Sequence, residues 1–317
     1  MKTILAADIG GTHSRFGAFR GRSGRPLERI DSLWLPTAEA DSFESLLKTF
    51  EARDFVVGFE QADIVVFAVA GPVVAQTRVS PPNIDWEVDL ADIQSRFGVH
   101  RAALINDFAA QAYACRTLAV ENARKVADGP VDDSAPLAVI GAGTGLGQSA
   151  LIPTQDGKYI ALATEGGHIG FAFEQEEELD YMRYLLAETG EPYVRAESVV
   201  SGGGLSRLHH FLTGRKLQPA QVSREIDDHS PTMRWMARFY GRVCRNLALQ
   251  VLAFGGVYIA GGVAAKMPGL VTHSEFLRSF RHSHTMAAVL GKIPVLLNTN
   301  EESGLWGAAL KGLLELQ

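Results

Sequence analysis

The fold is decided by the stretch ILAADIGGTHSRFGAF, residues 4–19. An apolar run leads to two glycines and a hydroxyl residue, and a second, alternating apolar run follows. This order predicts a strand, a tight turn and a returning strand. Gly10 and Gly11 allow positive φ and leave room for backbone N–H groups to approach a ligand. Such a turn can form an anion-binding concavity, usually for phosphate, although the pattern equally fits an ordinary glycine hairpin.

The same pattern of strand, turn and strand recurs in LAVIGAGTGLGQSALI, residues 137–152. The recurrence predicts an internal repeat of two related halves. These glycines do not match a dinucleotide fingerprint, which requires a helix directly after them, because residues 148–152 alternate as a strand. Neither turn is followed by the lysine of a P-loop. Two glycine hairpins, together with the pair Gly261-Gly262 after another strand, therefore predict a nucleotide site of a different kind.

The size and charge of the chain limit the classes of function. A chain of 317 residues suggests about two domains, and its net charge of −6 argues against nucleic acid as the main partner. The arginines between Arg234 and Arg245 are interpreted as a solvated helix face. Cys115 and Cys244 are expected to be buried thiols, since no Cys/His cluster indicates zinc. No signal segment or apolar run of about 18 residues is present, so we expect no membrane partner and a cytoplasmic location.

Hydrophobic periodicity predicts a mixed sheet covered by helices. Three strands precede a helix, a strand, a helix and a strand, which is typical of an α/β fold. Asp41, with Glu44 three residues later, predicts the start of the first helix. The polar residues 120–136 are expected to form a surface connection. The longest helix is predicted from Ser230-Pro231 to the glycine pair at 255–256, and a closing helix over residues 302–316.

Polar residues that could bind a ligand or take part in catalysis follow several strand ends. Asn106-Asp107 stands at the predicted junction of the halves, where the Asp107 carboxylate either projects into a crevice or caps the next helix. Glu165-Gly-Gly-His168 offers an acid and an imidazole on one glycine-rich loop, and such groups can bind vicinal hydroxyls. Glu197 is a further candidate acid or the neighbour of a helix cap. Asn83 is either a binding amide on a proline turn or a simple turn residue.

Taken together, these segments resemble the bacterial glucokinase family within the actin/hexokinase/Hsp70-type superfamily. The resemblance extends nearly from end to end of the chain. It is carried by these motifs: Asp8-Ile-Gly-Gly-Thr12 with Arg15, Ala70-Gly-Pro72, Asn83 with Trp86, Ile105-Asn-Asp-Phe108, Gly141-Ala-Gly-Thr-Gly-Leu-Gly147, Glu165-Gly-Gly-His168, Ala196-Glu197, Ser201-Gly202 and Gly255-Gly-Val-Tyr-Ile-Ala-Gly-Gly262.

The resemblance implies a two-domain, actin-like (ribonuclease H-like) α/β fold with duplicated mixed-sheet halves around a central cleft, often as a homodimer. It implies a small domain of residues 1–105 plus 302–317 and a large domain of residues 106–301. It further implies a glycolytic kinase reaction in which ATP, with Mg²⁺, phosphorylates glucose at its 6-hydroxyl.

The resemblance also assigns roles residue by residue. Asp107 would be the catalytic base, and the sugar would be bound by Asn83, Asn106, Asp107, Glu165, His168 and Glu197. The nucleotide would be held by Asp8, Gly10, Gly11, Thr12, Gly141, Gly143, Thr144, Gly145, Gly261 and Gly262. Asp8 would also face Mg²⁺ through water, because Mg²⁺ tends to keep its waters.

Two positions depart from the family pattern. The asparagine that usually follows Gly-Gly-Thr is His13 here, and the Thr-Asn before the tryptophan reads Pro82-Asn83. His13 can add a pH response near neutrality, and the proline removes a hydroxyl. The alternatives are therefore a kinase for another hexose or an amino sugar, a kinase that uses polyphosphate, and a non-catalytic sugar sensor of the same fold. The presence of Asp107 speaks against the sensor.

Overall fold

Strands and helices alternate along the computed structural model, which describes residues 1–91 and 93–317. Up to residue 122 the elements are β1 (Lys2–Ile9), β2 (His13–Gly21), β3 (Glu28–Pro36), α1 (Phe43–Glu51), β4 (Ile64–Val69), β5 (Arg78–Val79), β6 (Val88–Asp89), α2 (Ile93–Phe97), β7 (Ala102–Asn106) and α3 (Asp107–Ala114). Short 3-10 helices cover Thr37–Glu39, Phe59–Gln61, Leu118–Val120 and, later in the chain, Gly166–His168.

The remaining elements are richer in helix. They are β8 (Arg124–Ala127), β9 (Leu137–Ala142), β10 (Leu146–Pro153), β11 (Tyr159–Thr164), α4 (Glu176–Thr189), α5 (Ala196–Val199), α6 (Gly202–Thr213), α7 (Pro219–Glu225), α8 (Pro231–Val251), β12 (Val257–Ala260), α9 (Gly262–Lys266), α10 (Gly269–Thr272), α11 (Ser274–Arg281), α12 (Ala287–Leu290), β13 (Val295–Leu297) and α13 (Ser303–Glu315).

The chain divides into two compact units. Unit 1 consists of Met1–Asn122, Thr154–Ala163 and Asn300–Gln317, and unit 2 consists of Ala123–Pro153 and Thr164–Thr299. This division differs from the predicted one at residues 106–122, 154–163 and 300–301. The physical reason for the first difference is that α3 packs closely on α13. A Cβ on Gly307 would lie 1.7 Å from the carbonyl oxygen of Ala110.

Unit 1 is built on a mixed five-stranded sheet. Its strand order is β3-β2-β1-β4-β7, with antiparallel pairs on the β3 side and parallel pairs from β1 to β7. Successive side chains of a strand point to opposite faces. Leu5, Ala7 and Ile9 therefore face a core shared with α1 and α2, whereas Ile4 and Ala6 face α3 and α13. Both faces of β1 are buried, as its apolar run predicts.

Unit 2 repeats this arrangement. Its strands include the order β10-β9-β12-β13-β8, in which β9 and β10 are antiparallel and β9, β12 and β13 are parallel. The predicted internal repeat is thus confirmed. β8 was not predicted, because Arg124 and Lys125 gave its sequence the polar character of a loop. It is an edge strand, antiparallel to β13, and polar residues are common at sheet edges.

Several helix ends also differ from the prediction. Ser42, not Asp41, caps α1, because its hydroxyl accepts a hydrogen bond from the N–H of Ser45 at 3.1 Å. The long helix α8 stops at Val251, ahead of the predicted glycine pair. Leu252 ends it in the left-handed conformation, with φ 50°, which a leucine rarely adopts.

Three of the four arginines of α8 contradict the predicted solvated face, whereas Arg234 is exposed as predicted. Arg242 is 1% exposed and makes hydrogen bonds of 2.7 and 2.9 Å to the fully buried Glu178. Arg245 is also buried and pairs with Glu174, and Arg238 pairs with Glu275. Guanidinium groups suit buried ion pairs because their planar fork matches a carboxylate. The acidic partners come mainly from residues 174–178, which sequence periodicity could not place opposite α8.

The prediction that both cysteines are buried thiols is confirmed. Cys115 and Cys244 are free, buried thiols. Burial raises the pKa of both thiols. Along residues 1–91 and 93–317, no helix combines the length and the apolar character that crossing a membrane requires.

Candidate active site

The polar groups of unit 1 gather where its parallel strands end. Ile9, Val69 and Asn106 are the last residues of β1, β4 and β7, and they lie side by side in register. Asn106 donates a hydrogen bond of 3.2 Å to the carbonyl oxygen of Gly71, in the loop after β4. In open α/β sheets this carboxyl edge is where ligands usually bind.

The first glycine turn lies at this edge, against the proline turn of Asn83. A Cβ on Gly11 would lie 2.9 Å from the backbone oxygen of Asn83, so glycine is required by close approach. Neither Gly10 nor Gly11 adopts the positive φ that a glycine allows. Thr37 supports the turn, since its hydroxyl donates to the Gly10 oxygen at 2.7 Å and its N–H to the Thr12 oxygen at 3.0 Å.

The turn leaves donors available. Gly11 and Thr12 are exposed, and within residues 1–91 and 93–317 their backbone N–H groups have no hydrogen-bond partner. Consecutive N–H groups of this kind suit an anionic ligand such as a phosphate. The structure thus supports a phosphate-binding turn over an ordinary hairpin.

Asp8 lies next to the turn on the face covered by α13. Its carboxylate is 3.4 Å from Nη1 of Arg15, and a Cβ on Gly304, at the start of α13, would lie 2.7 Å from it. Burial raises the pKa of Asp8, while the charge of Arg15 acts in the opposite direction. In the described part of the chain, no cluster of three or more His, Cys, Asp or Glu residues could hold a metal alone. A single carboxylate fits Mg²⁺ held mainly by phosphates and water.

The structure shows which residue of the pair Asn106 and Asp107 caps α3, a question that the sequence left open. Asn106 caps α3, since its side-chain oxygen accepts hydrogen bonds from the N–H groups of Phe108 and Ala109 at 2.9 and 3.1 Å. Asp107 is the first helical residue and is half-buried, with Oδ1 2.9 Å from its neighbour's N–H. The cap therefore belongs to Asn106, and a negative charge at Asp107 is favoured by the helix N-terminus.

In unit 2 the predicted nucleotide-binding glycines lie together. Gly143 closes its turn with a hydrogen bond to the Gly145 oxygen, and it accepts one from the N–H of Gly202, both at 2.8 Å. Gly261 has φ 84°, and its Cβ would lie 2.6 Å from the Ala142 oxygen. By contrast, a Cβ on Gly143 or Gly262 would meet no atom within 4 Å. The open space beside these two glycines could receive a nucleotide.

The predicted sugar-binding residues of unit 2 also lie together, around Arg195. Its Nη1 lies 3.1 Å from Oε1 of Glu197 and 3.0 Å from Nδ1 of His168. Glu165 follows in the same group, with Oε2 3.9 Å from Nε2 of His168. Nη2 of Arg195 donates a hydrogen bond of 2.6 Å to Glu191, and this hydrogen bond lowers the pKa of Glu191. Sequence reasoning missed Arg195, whose only signal was its position two residues before Glu197.

Glu197 connects this sugar group to the second glycine turn. Its Oε2 accepts a hydrogen bond of 3.2 Å from the N–H of Leu146, directly after the turn. A Cβ on Gly145 would lie 2.3 Å from the same oxygen. Gly145 is therefore needed because the carboxylate approaches the backbone.

Comparisons with known proteins indicate the family of this chain. A family model described as Glucokinase matches residues 5–313. The chain is 35% identical over 317 residues to the glucokinase of Paramagnetospirillum magneticum, with 96% of each chain covered. Among solved structures, a glucokinase from an Antarctic psychrotroph is 29% identical, covers 98% of both chains and has a TM-score of 0.82. A glucokinase from Balamuthia mandrillaris, solved with glucose, is 19% identical, covers 98% and 93%, and has a TM-score of 0.77, which shows the shared fold.

Proposed function

The chain belongs to the glucokinase family, and from this premise we propose that it transfers the γ-phosphoryl group of ATP to the 6-hydroxyl of glucose, with Asp107 as general base. The observation that supports this most strongly is the position of Glu197. It contacts both the candidate sugar group, through Arg195, and the glycine turn, through Leu146. A sugar site directly beside a phosphate site is what a sugar kinase needs.

In phosphoryl transfer, the protein contributes mainly by positioning the reactants and by stabilising the charge on the phosphate groups. In the proposed mechanism, the N–H groups of the two glycine turns bind the phosphates. The carboxylates of Glu165 and Glu197 and the imidazole of His168 bind the sugar hydroxyls. Asp107 accepts the proton of the 6-hydroxyl as the oxygen of that hydroxyl attacks the γ-phosphorus, the bond from the γ-phosphorus to the bridging oxygen of the β-phosphate breaks, and ADP leaves. Mg²⁺, when bound with ATP, would neutralise phosphate charge, and Asp8 would hold it through water.

A coupled assay with ATP, Mg²⁺ and a panel of sugars tests the proposed reaction. We expect glucose to give the highest kcat/KM. His13 and Pro82 differ from the family pattern, so the panel includes mannose, fructose, glucosamine and N-acetylated amino sugars, and polyphosphate as donor. A higher kcat/KM for another sugar would reassign the substrate. Sugar binding without turnover of any member would indicate a sensor.

The role of Asp107 is tested by Asp107→Asn. The amide keeps the size of the side chain but cannot accept the proton, so we expect kcat to fall by about 10²- to 10⁴-fold, the usual contribution of a general base. Glucose binding, measured by calorimetry, should survive. A kcat within about threefold of the wild type would exclude Asp107 as the base.

We further propose a homodimer and a cytoplasmic location. The homodimer rests on the family resemblance alone, and light scattering coupled to size-exclusion chromatography measures it directly. The location rests on the need for ATP, and fractionation of the native host tests it.

A further inference from the structure

Arg195 contacts two of the three candidate sugar-binding side chains of unit 2. Its Nη1 lies within hydrogen-bond distance of Nδ1 of His168, at 3.0 Å, and of Oε1 of Glu197, at 3.1 Å. Nη2 donates to Oε1 of Glu191 at 2.6 Å. Arg195 thus contacts the candidate binding groups, although the proposed reaction itself assigns it no role.

The contact with His168 determines which ring nitrogen carries the proton. A guanidinium group has only donors, so Nδ1 must be the acceptor and the proton of the neutral ring must be on Nε2. A doubly protonated ring would set an N–H at Nδ1 against the N–H of Arg195. Nε2 lies 3.9 Å from the nearest oxygen of Glu165, which is beyond hydrogen-bond distance. The Nε2–H group is therefore available to a ligand, and the ring is about half exposed.

The backbone holds Arg195 in this position. Gly170 and Arg195 form an antiparallel bridge, and the flanking bonds join Ala196 to Ile169 and Phe171 to Val194, both at 2.8 Å. On the far side, Glu191 is itself held by the hydroxyl of Ser198 at 2.9 Å. The guanidinium is thus fixed from both the main chain and a side-chain anchor, as a positioning group requires.

We propose that Arg195 is a positioning residue for sugar recognition, an inference that rests on the proposed function. It keeps His168 in the Nε2–H form and orients the Glu197 carboxylate. One fixed donor and one fixed acceptor then face neighbouring hydroxyl groups of the hexose. Without Arg195, the ring can rotate or change tautomer, and the carboxylate loses one of its two hydrogen bonds.

Kinetics of Arg195→Met provide the first test. Because Arg195 acts on groups that bind the sugar and not on the reacting atoms, we expect the KM for glucose to rise about tenfold while kcat stays within about threefold. Arg195→Lys keeps the charge but not the planar fork, so an intermediate KM is expected. An unchanged KM for glucose in Arg195→Met would overturn the proposal.

Two variants serve as matched controls. Tyr193→Phe, on the same segment, removes only a hydrogen bond of 3.0 Å to the main-chain oxygen of His168. Arg183→Met removes an exposed arginine that pairs with Asp180 at 2.6 Å. Both should leave the KM for glucose within about twofold of the wild type, since neither fixes the imidazole ring. Thermal melting verifies that each variant is folded.

The tautomer of His168 provides a test that does not depend on turnover. Long-range ¹H–¹⁵N spectra of the wild type at pH 7.5 should show His168 as the Nε2–H tautomer, and Arg195→Met should show a mixture. An Nδ1–H or doubly protonated ring in the wild type would overturn the proposal even if Arg195→Met failed to fold. Absent turnover of glucose by the wild type would instead reject the proposed function, and the spectra would still report on Arg195.

Discussion

At the scale of single residues, the glycines of the second turn differ in how much space surrounds them. The Cβ of an alanine at 145 would meet the Glu197 carboxylate at 2.3 Å, whereas one at 143 would enter open space. A Gly145→Ala change must therefore displace Glu197, a proposed sugar-binding residue. A Gly143→Ala change instead fills space assigned to the nucleotide.

We predict that these two substitutions affect different substrates. Displacement of a binding group by about 1 Å can lower activity about a hundredfold, so the KM for glucose should rise at least about tenfold in Gly145→Ala. In Gly143→Ala the KM for ATP should rise instead. Initial rates with both substrates varied separate the two effects. A rise only in the KM for ATP in Gly145→Ala would contradict the arrangement described for Glu197.

Most residues of the candidate site could be predicted from the sequence, but the separate role of each residue could not. The adjacent pair Asn106-Asp107 was read correctly as a polar strand end, but only the geometry shows that Asn106 is the cap. Arg195 was missed because its importance comes from side-chain contacts across a short backbone bridge. No local pattern encodes such a contact.

At the scale of elements, the crossing of α3 and α13 depends on Gly307. The backbone oxygen of Ala110 occupies the place where a side chain would begin, and backbone cannot move aside as a flexible side chain does. This close packing explains why α3 belongs to unit 1. A residue with any side chain at 307 would force the two helices apart.

We predict that Gly307→Ala destabilises the protein by about 1–3 kcal/mol or more, because overpacking in a core has that typical cost. Gly203→Ala in α6 is the matched control. Its Cβ would meet only the movable end of the Arg207 side chain, at 3.3 Å. Alanine is the better helix former, so the control should be neutral or stabilising. Urea-denaturation midpoints compare the two. Equal midpoints would contradict the close packing of α3 on α13.

Elements with a clear apolar period were predicted well, and elements defined by long-range partners were not. The hairpin of β1 and β2 and its repeat in β9 and β10 followed from alternation and glycine alone. β8 did not, because an edge strand is stabilised by its partner β13 and needs no apolar pattern of its own. The cap of α1 was misplaced by one residue, as Asp41 and Ser42 are both good caps and only the backbone geometry separates them.

At the scale of the whole molecule, buried ion pairs make stability depend on pH. Burial acts to raise the pKa of Glu178, but hydrogen bonds from Arg242 and from the backbone together keep it below its ordinary value of 4.5. Since the pKa is lower in the folded state, this carboxylate stabilises the protein above about pH 4.5. The contribution is lost as the pH falls below that value.

We predict that Glu178→Gln lowers the free energy of unfolding at pH 7 by up to about 3–5 kcal/mol, since it removes the nearest charge partner of the buried Arg242 and leaves it to the more distant carboxylate of Glu174, at 3.4 Å. The loss should be smaller at pH 4, because the stabilisation from this lowered pKa begins to fall once the pH drops below 4.5. Glu177→Gln, at an exposed carboxylate that pairs with Arg238, should change stability by less than about 1 kcal/mol. The same loss at both pH values for Glu178→Gln would show that the pair does not contribute to the pH dependence.

The order of segments in unit 1 has a consequence for synthesis. Chains fold progressively from the N-terminus as they are made, yet one face of β1 and β4 is covered by α13, residues 303–315. Ile4, Val66 and their neighbours therefore stay exposed during synthesis until α13 has been made. A ribosome-bound chain that lacks α13 should expose this apolar surface and bind chaperones until the last helix emerges.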